Sequence, residues 1–281
     1  MTTARLKSAL HELLGAPGRG PAERERRSGA TVPAHLSLGE LAARLGLPLP
    51  DDPALATTAF PTRRVARNDV LYRGGDPFEA IYLVCAGMFK TVLVDAAGFE
   101  QVLAFPLAGD VIGIDGIDSG LHPSEAVALE RSDVAIVHFA RIAHLAQLDR
   151  AIARLLNRVL GRELERKHAM MGLLGTLHAE ARVAAFLLEL SARQARLGRP
   201  GDTIDLRMTR GELGSHLGVK LETVSRALST FAAAGLIRVE RRIVTLRDPK
   251  ALRQILERES AKGRAAPHLQ MVRSAAPAPP A

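Results

Sequence analysis

The chain has a single cysteine, Cys85, in 281 residues. One thiol excludes an internal disulfide framework and any all-cysteine metal site built within one chain. Long apolar runs are missing too. The longest, such as 183–188, fall far short of the roughly 20 residues a membrane-spanning helix needs, and the N-terminus has no apolar stretch behind its basic residues. A soluble, cytoplasmic protein with no membrane partner is therefore expected. G-x-S-x-G, a Walker A loop and H-E-x-x-H are all absent, and the 9 histidines show no His-x-His or other compact ligand spacing. Neither an enzyme nor a cupin-like metal site is expected. What is abundant is positive charge: 38 basic residues against 30 acidic give +8. That balance suits a polyanionic partner and equally a merely basic soluble protein, so charge alone decides nothing. With 47% hydrophobic residues, the chain can bury a core and support two modest domains.

Residues 1–60 are rich in Ala, Gly, Pro and Arg, and the run 17–29 reads as solvated and mobile. This stretch is expected to be a disordered or weakly ordered extension carrying at best one short helix, at 38–47. Residues 61–148 change texture to short alternating runs broken by glycine, at 70–76, 80–87, 88–98, 101–110 and 132–139, which suggests an antiparallel roll or barrel. Residues 149–178 place Ile152, Leu155, Leu156, Val159, Leu160, Leu164, Met170 and Met171 at positions compatible with one extended helix. Such a helix has little to pack against in one subunit. A second copy across a two-fold axis is the economical cover for its stripe, with the chain's own roll as competitor. Ile152, Leu156, Val159 and Met170 are the candidate dimer contacts. A further amphipathic segment, 179–194, leads into residues that complete a unit at 179–258, and 259–281 is read as a disordered tail.

Within that last unit, Thr209 stands three residues before Glu212, the pattern of a capping box. Leu213 and Leu217 share one face, and Gly218 breaks the helix. A second helix, 221–234, turns Val224, Leu228 and Phe231 inward and leaves Glu222, Ser225, Arg226 and Ser229 outward near its first two turns. A helix-turn-helix presents its base-reading residues from this part of its second helix. Beyond Gly235, two β-rich pieces flank 240–242, a hairpin that would make the unit a winged helix. From Thr203 to Arg247 there are eight basic residues and four acidic ones. A generic helical hairpin would show the same apolar stripe. The capped first helix, glycine turn, polar outward face, basic hairpin and preceding dimer-type helix together favour DNA binding with two-fold symmetry.

The stretch MTRGELGSHLGVKLETVSRALSTFAAAGLI, with LAGDVIG and DSGLHPSEA before it, resembles the CRP/FNR superfamily of bacterial transcription regulators, in particular its FNR-type branch. The resemblance covers roughly residues 60–255. It implies an α+β fold: an N-terminal antiparallel β-roll of the cyclic-nucleotide-binding type, a long dimerisation helix and a C-terminal winged helix-turn-helix. It also implies a homodimer on a double-stranded DNA operator, an inverted repeat of TTGA-type half-sites, with RNA polymerase as a further partner. Glu222, Ser225 and Arg226 match the family's base-contacting positions. Thr209, Arg210, Lys220, Thr223 and Ser229, with Arg241 and Arg242 in the hairpin, are candidates for backbone contacts.

The chain departs from the family where its members sense. The cyclic-nucleotide branch uses a Glu for the ribose and an Arg-Ser pair for the phosphate. Here those positions hold Ile114, Ser124 and Glu125. An apolar side chain accepts no sugar hydroxyl, and a carboxylate repels phosphate, so cyclic AMP is not expected to bind. The oxygen-sensing branch ligates an iron-sulfur cluster through N-terminal cysteines and one in the roll. No cysteine precedes Cys85, and the roll position is Ala135, so no cluster is expected either. Cys85 reads as a small buried hydrophobe. Two alternatives stay open: a haem- or other small-ligand-responsive regulator of the same fold, and a nucleic-acid binder without sequence preference. The outward Glu222 disfavours the second, because a carboxylate there lowers non-specific affinity.

Overall fold

A computed structural model describes residues 32–48 and 52–265, with side chains as far as 258. Strand β1 (His35–Ser37) runs into helix α1 (Leu38–Arg44), which starts at a reciprocal cap: Ser37 Oγ accepts from Glu40 N, and Glu40 accepts from Ser37 N at 2.7 Å. Helix α2 (Pro53–Ala56) follows, and then β2 (Ala59–Val65). The expectation of a weakly ordered extension through residue 60 is therefore corrected for residues 32–48 and 52–60. Leu36, Leu38, Leu41 and Ala42 are buried in the roll's own core, which is why this short piece is held. Residues 1–31 and 49–51, where the rest of that expectation falls, lie outside the described residues, as do 266–281.

The roll continues through β3 (Val70–Tyr72), β4 (Ala80–Ala86), β5 (Phe89–Val94), β6 (Glu100–Ala104), β7 (Val111–Ile112), a 3-10 turn at Ile114–Gly116, β8 (Glu125–Ala128) and β9 (Ser132–His138). Two antiparallel sheets result, one in the order β1-β2-β9-β4-β7 and the other β3-β8-β5-β6. Inward residues of both faces fill the space between them, as alternation along short strands requires. Strand β6 is the edge of the second sheet.

Helix α3 (Phe139–Leu148) leads to the long helix α4 (Arg150–Thr176), whose N-cap Asp149 accepts from Ala151 N. Helix α5 (Ala179–Arg196) and β10 (Thr203–Asp205) open the C-terminal unit, followed by α6 (Arg210–Leu217), α7 (Leu221–Ala233), β11 (Ile237–Glu240), β12 (Ile243–Leu246) and α8 (Pro249–Ala265). The small sheet has the order β10-β12-β11. Helix α8 overruns the expected boundary at 258, with Leu252 and Leu256 buried against the unit's core, so the tail read as 259–281 is helical as far as 265. An ion cluster around the buried Asp110 ties roll, long helix and C-terminal unit together. Asp110 takes Arg166 of α4 at 2.7 Å and Arg193 of α5, and also accepts from Leu107 N.

Candidate nucleic-acid interface

Helix α6 begins at the cap legible in the sequence: Thr209 Oγ1 accepts from Glu212 N at 3.1 Å, and Glu212 accepts from Thr209 N at 2.7 Å. It ends at Gly218, in the left-handed region with φ 63°. A side chain there would be strained. A Cβ at Gly214 would lie 2.6 Å from the carbonyl oxygen of Val219, so the turn can close this tightly only over a glycine. Helix α7 then buries Val224, Ala227, Leu228 and Phe231 and exposes Glu222, Arg226 and Ser229, with Thr223 and Ser225 half-buried. Arg210 Nη1 donates to Ser225 Oγ at 3.3 Å, joining the start of α6 to the outward face of α7. Glu180, Thr223, Ser225, Arg226, Ser229 and Thr230 line an open groove along this face. Ser225, Arg226, Thr223 and Ser229 thus line one groove, Arg210 reaches it through Ser225, and Glu222 is exposed at the start of α7 outside the lining.

The hairpin treats its two candidate cations differently. Glu240 pairs with Ile243, leaving Arg241 and Arg242 as a two-residue turn. Arg241 stands exposed at the apex with φ 56°, an unfavourable backbone state for a side chain with a Cβ. Arg242 Nε lies 3.2 Å from Asp205 Oδ1 and is partly neutralised, while Arg238 pairs with Glu240. Thr209 and Lys220 are exposed, Thr209 as N-cap of α6 and Lys220 as N-cap of α7. Helix N-termini favour anions.

The long helix corrects the expected dimer contacts. Ile152 and Val159 are 0% and 6% exposed and lie in the cluster formed with the roll's Leu83, Ala135 and Val137. Met170 packs against the C-terminal cluster. Ile152 and Val159 are taken up within the chain, whereas Met170 is only partly buried there. Leu156 is half-buried, and the exposed apolar residues of the helix are Leu160, Leu164 and Met171, at 38%, 55% and 68%. At 100° per residue, 156, 160, 164 and 171 fall within one sector adjoining the buried one.

In the roll, Ile114 is buried in the 3-10 turn, and Ser124 Oγ donates to Asp115 Oδ2 at 2.9 Å. His122, which its sequence context did not distinguish from other scattered histidines, is 2% exposed and stacks on Tyr72 with ring centroids 3.9 Å apart. Phe78 meets it edge-on at 5.5 Å. Burial holds the His122 imidazole below its usual pKa, with Asp115 and Asp76 opposing, and burial together with the Asp115 charge lifts the Tyr72 phenol. Cys85 is buried and its thiol pushed up by that burial, the state of an inert thiol. Among the described residues, no group of three or more His, Cys, Asp or Glu side chains could hold a metal ion. Nor is any described helix long and apolar enough to cross a membrane.

Comparison with known proteins bears on this arrangement at both ends. Residues 62–149 match the cyclic nucleotide-binding domain family, and residues 181–255 match the Crp-like helix-turn-helix domain family. The transcriptional regulatory protein btr of Bordetella pertussis is 39% identical over 230 residues, 81% of this chain and 95% of that protein. The transcriptional activator protein Anr of Pseudomonas protegens is 37% identical over 213 residues, 76% of this chain and 87% of that protein. The solved structure of FixK2 from Bradyrhizobium japonicum superposes with a TM-score of 0.64 at 31% identity, covering 70% of this chain and 96% of that one. The roll and the helix-turn-helix stand in the order of the two matched domains, and the relatives are more than 30% identical over three quarters of the chain or more; the chain belongs to the CRP/FNR superfamily of DNA-binding transcription regulators.

Proposed function

We propose that this chain acts in the cytoplasm as a homodimer that reads an inverted-repeat operator of TTGA-type half-sites, without cyclic AMP or an iron-sulfur cluster, and meets RNA polymerase there. The observation that carries this reading is the outward placement of Glu222, Ser225 and Arg226 on α7 while Val224, Leu228 and Phe231 anchor the opposite side. The chemistry fits a mixed half-site: the Arg226 guanidinium can fork onto guanine O6 and N7, and Glu222 can accept from cytosine N4. Two-fold pairing through Leu156, Leu160, Leu164 and Met171 would set two such helices about one DNA turn apart. Independence from cyclic AMP is supported by the buried, apolar Ile114. Independence from a cluster is supported by the single thiol.

The test is a pair of binding isotherms, on the cognate and a scrambled duplex, for Arg226→Ala. The variant should lose on the order of 1 to 3 kcal/mol on the cognate site and relax preference at one base pair. An equal loss on both duplexes with unchanged base preference would mean that this face holds only the DNA backbone.

A further inference from the structure

The helix-turn-helix is not suspended from the sensor by a linker. Met88, Val92, Val102, Phe105 and Leu107 of the roll lie in the same buried cluster as Leu213, Leu217, Val224 and Phe231 of the C-terminal unit. Besides the Asp110–Arg193 and Glu130–Arg207 ion pairs, one group of polar contacts across this junction lies on the edge strand β6. Val102 N donates to Ser215 Oγ at 2.9 Å, Ser215 Oγ donates to the carbonyl of Glu100 at 3.2 Å, and the Gln101 amide donates to the carbonyl of Ser215. Ser215 of α6 thus satisfies backbone groups that a neighbouring strand would otherwise take.

A second contact lies beside it on β5. Lys90 Nζ is 2.9 Å from Glu100 Oε2 and 3.1 Å from Glu212 Oε1, with its side chain only 13% exposed. The other oxygen of Glu212 holds Thr209 N and Oγ1, and the next residue, Arg210, donates to Ser225 Oγ. Elements carrying these contacts run without a gap from a sensor strand to the base-reading face. The two ammonium partners hold opposite sides of the junction, one on the roll and one on α6.

We propose that Lys90 and Ser215 are positioning residues for DNA recognition: the β5–β6 edge fixes the orientation in which the helix-turn-helix meets its operator. This rests on the operator-reading assignment above. Two recognition helices must enter successive major grooves together, so a C-terminal unit free to rock on its roll loses base contacts first. Random DNA, held through phosphates, tolerates the rocking. Lys90 is shielded between two carboxylates and is not a phosphate contact, so its removal leaves the salt dependence of binding in place.

The experiment uses the full chain and compares Lys90→Met, Lys90→Arg, Ser215→Ala and Arg226→Ala on cognate and scrambled duplexes across a salt series. Lys90→Met and Ser215→Ala should each weaken cognate binding about fivefold, leaving the scrambled affinity and the salt slope unchanged, and Lys90→Arg should restore the cognate affinity. Ser215→Ala removes only an oxygen, so it keeps the test open if Lys90→Met folds poorly. Equal shifts on both duplexes, or none, would overturn the positioning role and leave the junction as packing alone. Arg226→Ala separates the two assignments: if it relaxes base preference while the Lys90 and Ser215 variants leave the ratio of cognate to scrambled affinity unchanged, only the positioning role fails. If it too leaves preference unchanged, the operator reading itself fails.

Discussion

If the chain pairs through α4 as proposed, placing a carboxylate at Leu164 should dissociate that dimer. The exposed parts of Leu160, Leu164 and Met171, at 38%, 55% and 68%, amount to roughly 300 Å² of apolar surface per protomer. Covering them on both protomers is worth roughly 15 kcal/mol before association costs, which themselves run to about 4–15 kcal/mol. The surplus is small, so each member of the stripe matters. Leu164→Glu forfeits about 2 kcal/mol of burial and adds the desolvation of a carboxylate, and the two-fold axis applies both penalties twice. A total on the order of 5 kcal/mol weakens the dimer by roughly a thousandfold or more. Sedimentation velocity over a concentration series reads this directly. Val159→Ala is the contrast: that side chain lies in the roll's own core, so the substitution should cost about 2 kcal/mol of protomer stability and leave association unchanged. A Leu164→Glu protein that still sediments as a dimer at micromolar concentration, or a Val159→Ala protein that dissociates, would refute the assignment of faces on this helix.

At the hairpin apex, Arg241→Gly relieves a positive φ and should raise stability by up to about 1 kcal/mol, while weakening cognate and random DNA alike and lowering the salt slope by about one; denaturant titration and a salt series check both halves. His216, enclosed by Phe105 and Phe186, is held neutral, because burial pushes its pKa down to about 4, with Arg193 adding to the effect and the backbone of Val102 and Leu103 opposing it. The folded value lies below the ordinary 6.5, so this stabilisation is complete above pH 6.5 and is lost as pH falls from there towards 4, by up to roughly 3 kcal/mol. In His216→Leu the stability difference between pH 6.5 and 4 should shrink by that amount, and an unchanged slope would assign it to other groups.

The helix-turn-helix was legible because its signals are local. Thr209 and Glu212 cap each other across three residues, Gly218 closes the turn, and the inward stripe of Val224, Leu228 and Phe231 fixes which residues face out. The long helix was legible as a helix, not as an interface. Its apolar positions cover more than half of its circumference, and periodicity cannot say which sector meets the roll. Only the three-dimensional packing sends Ile152 and Val159 inward and leaves Leu164 and Met171 bare. Strands β1, β8 and β10, of three or four residues, are too short for an alternating pattern to show and exist because distant strands pair with them. Arg242 looked like a free cation until Asp205, 37 positions earlier in sequence, came to lie beside it. His122 carried no signal at all, since stacking on Tyr72 depends on a contact 50 positions away.

The core shared by the roll and the C-terminal unit makes the DNA-reading module a poor candidate for transplantation. Cut free at Ala179, it would carry into water an apolar surface that Val92, Val102, Phe105 and Leu107 now cover, and Ser215 would have no strand edge to satisfy. A chimaera with a foreign roll would therefore inherit the outward face of α7 without the bed it lies on. In this chain the packed unit spans the roll's second sheet and the winged helix, across the boundary between the two matched family domains.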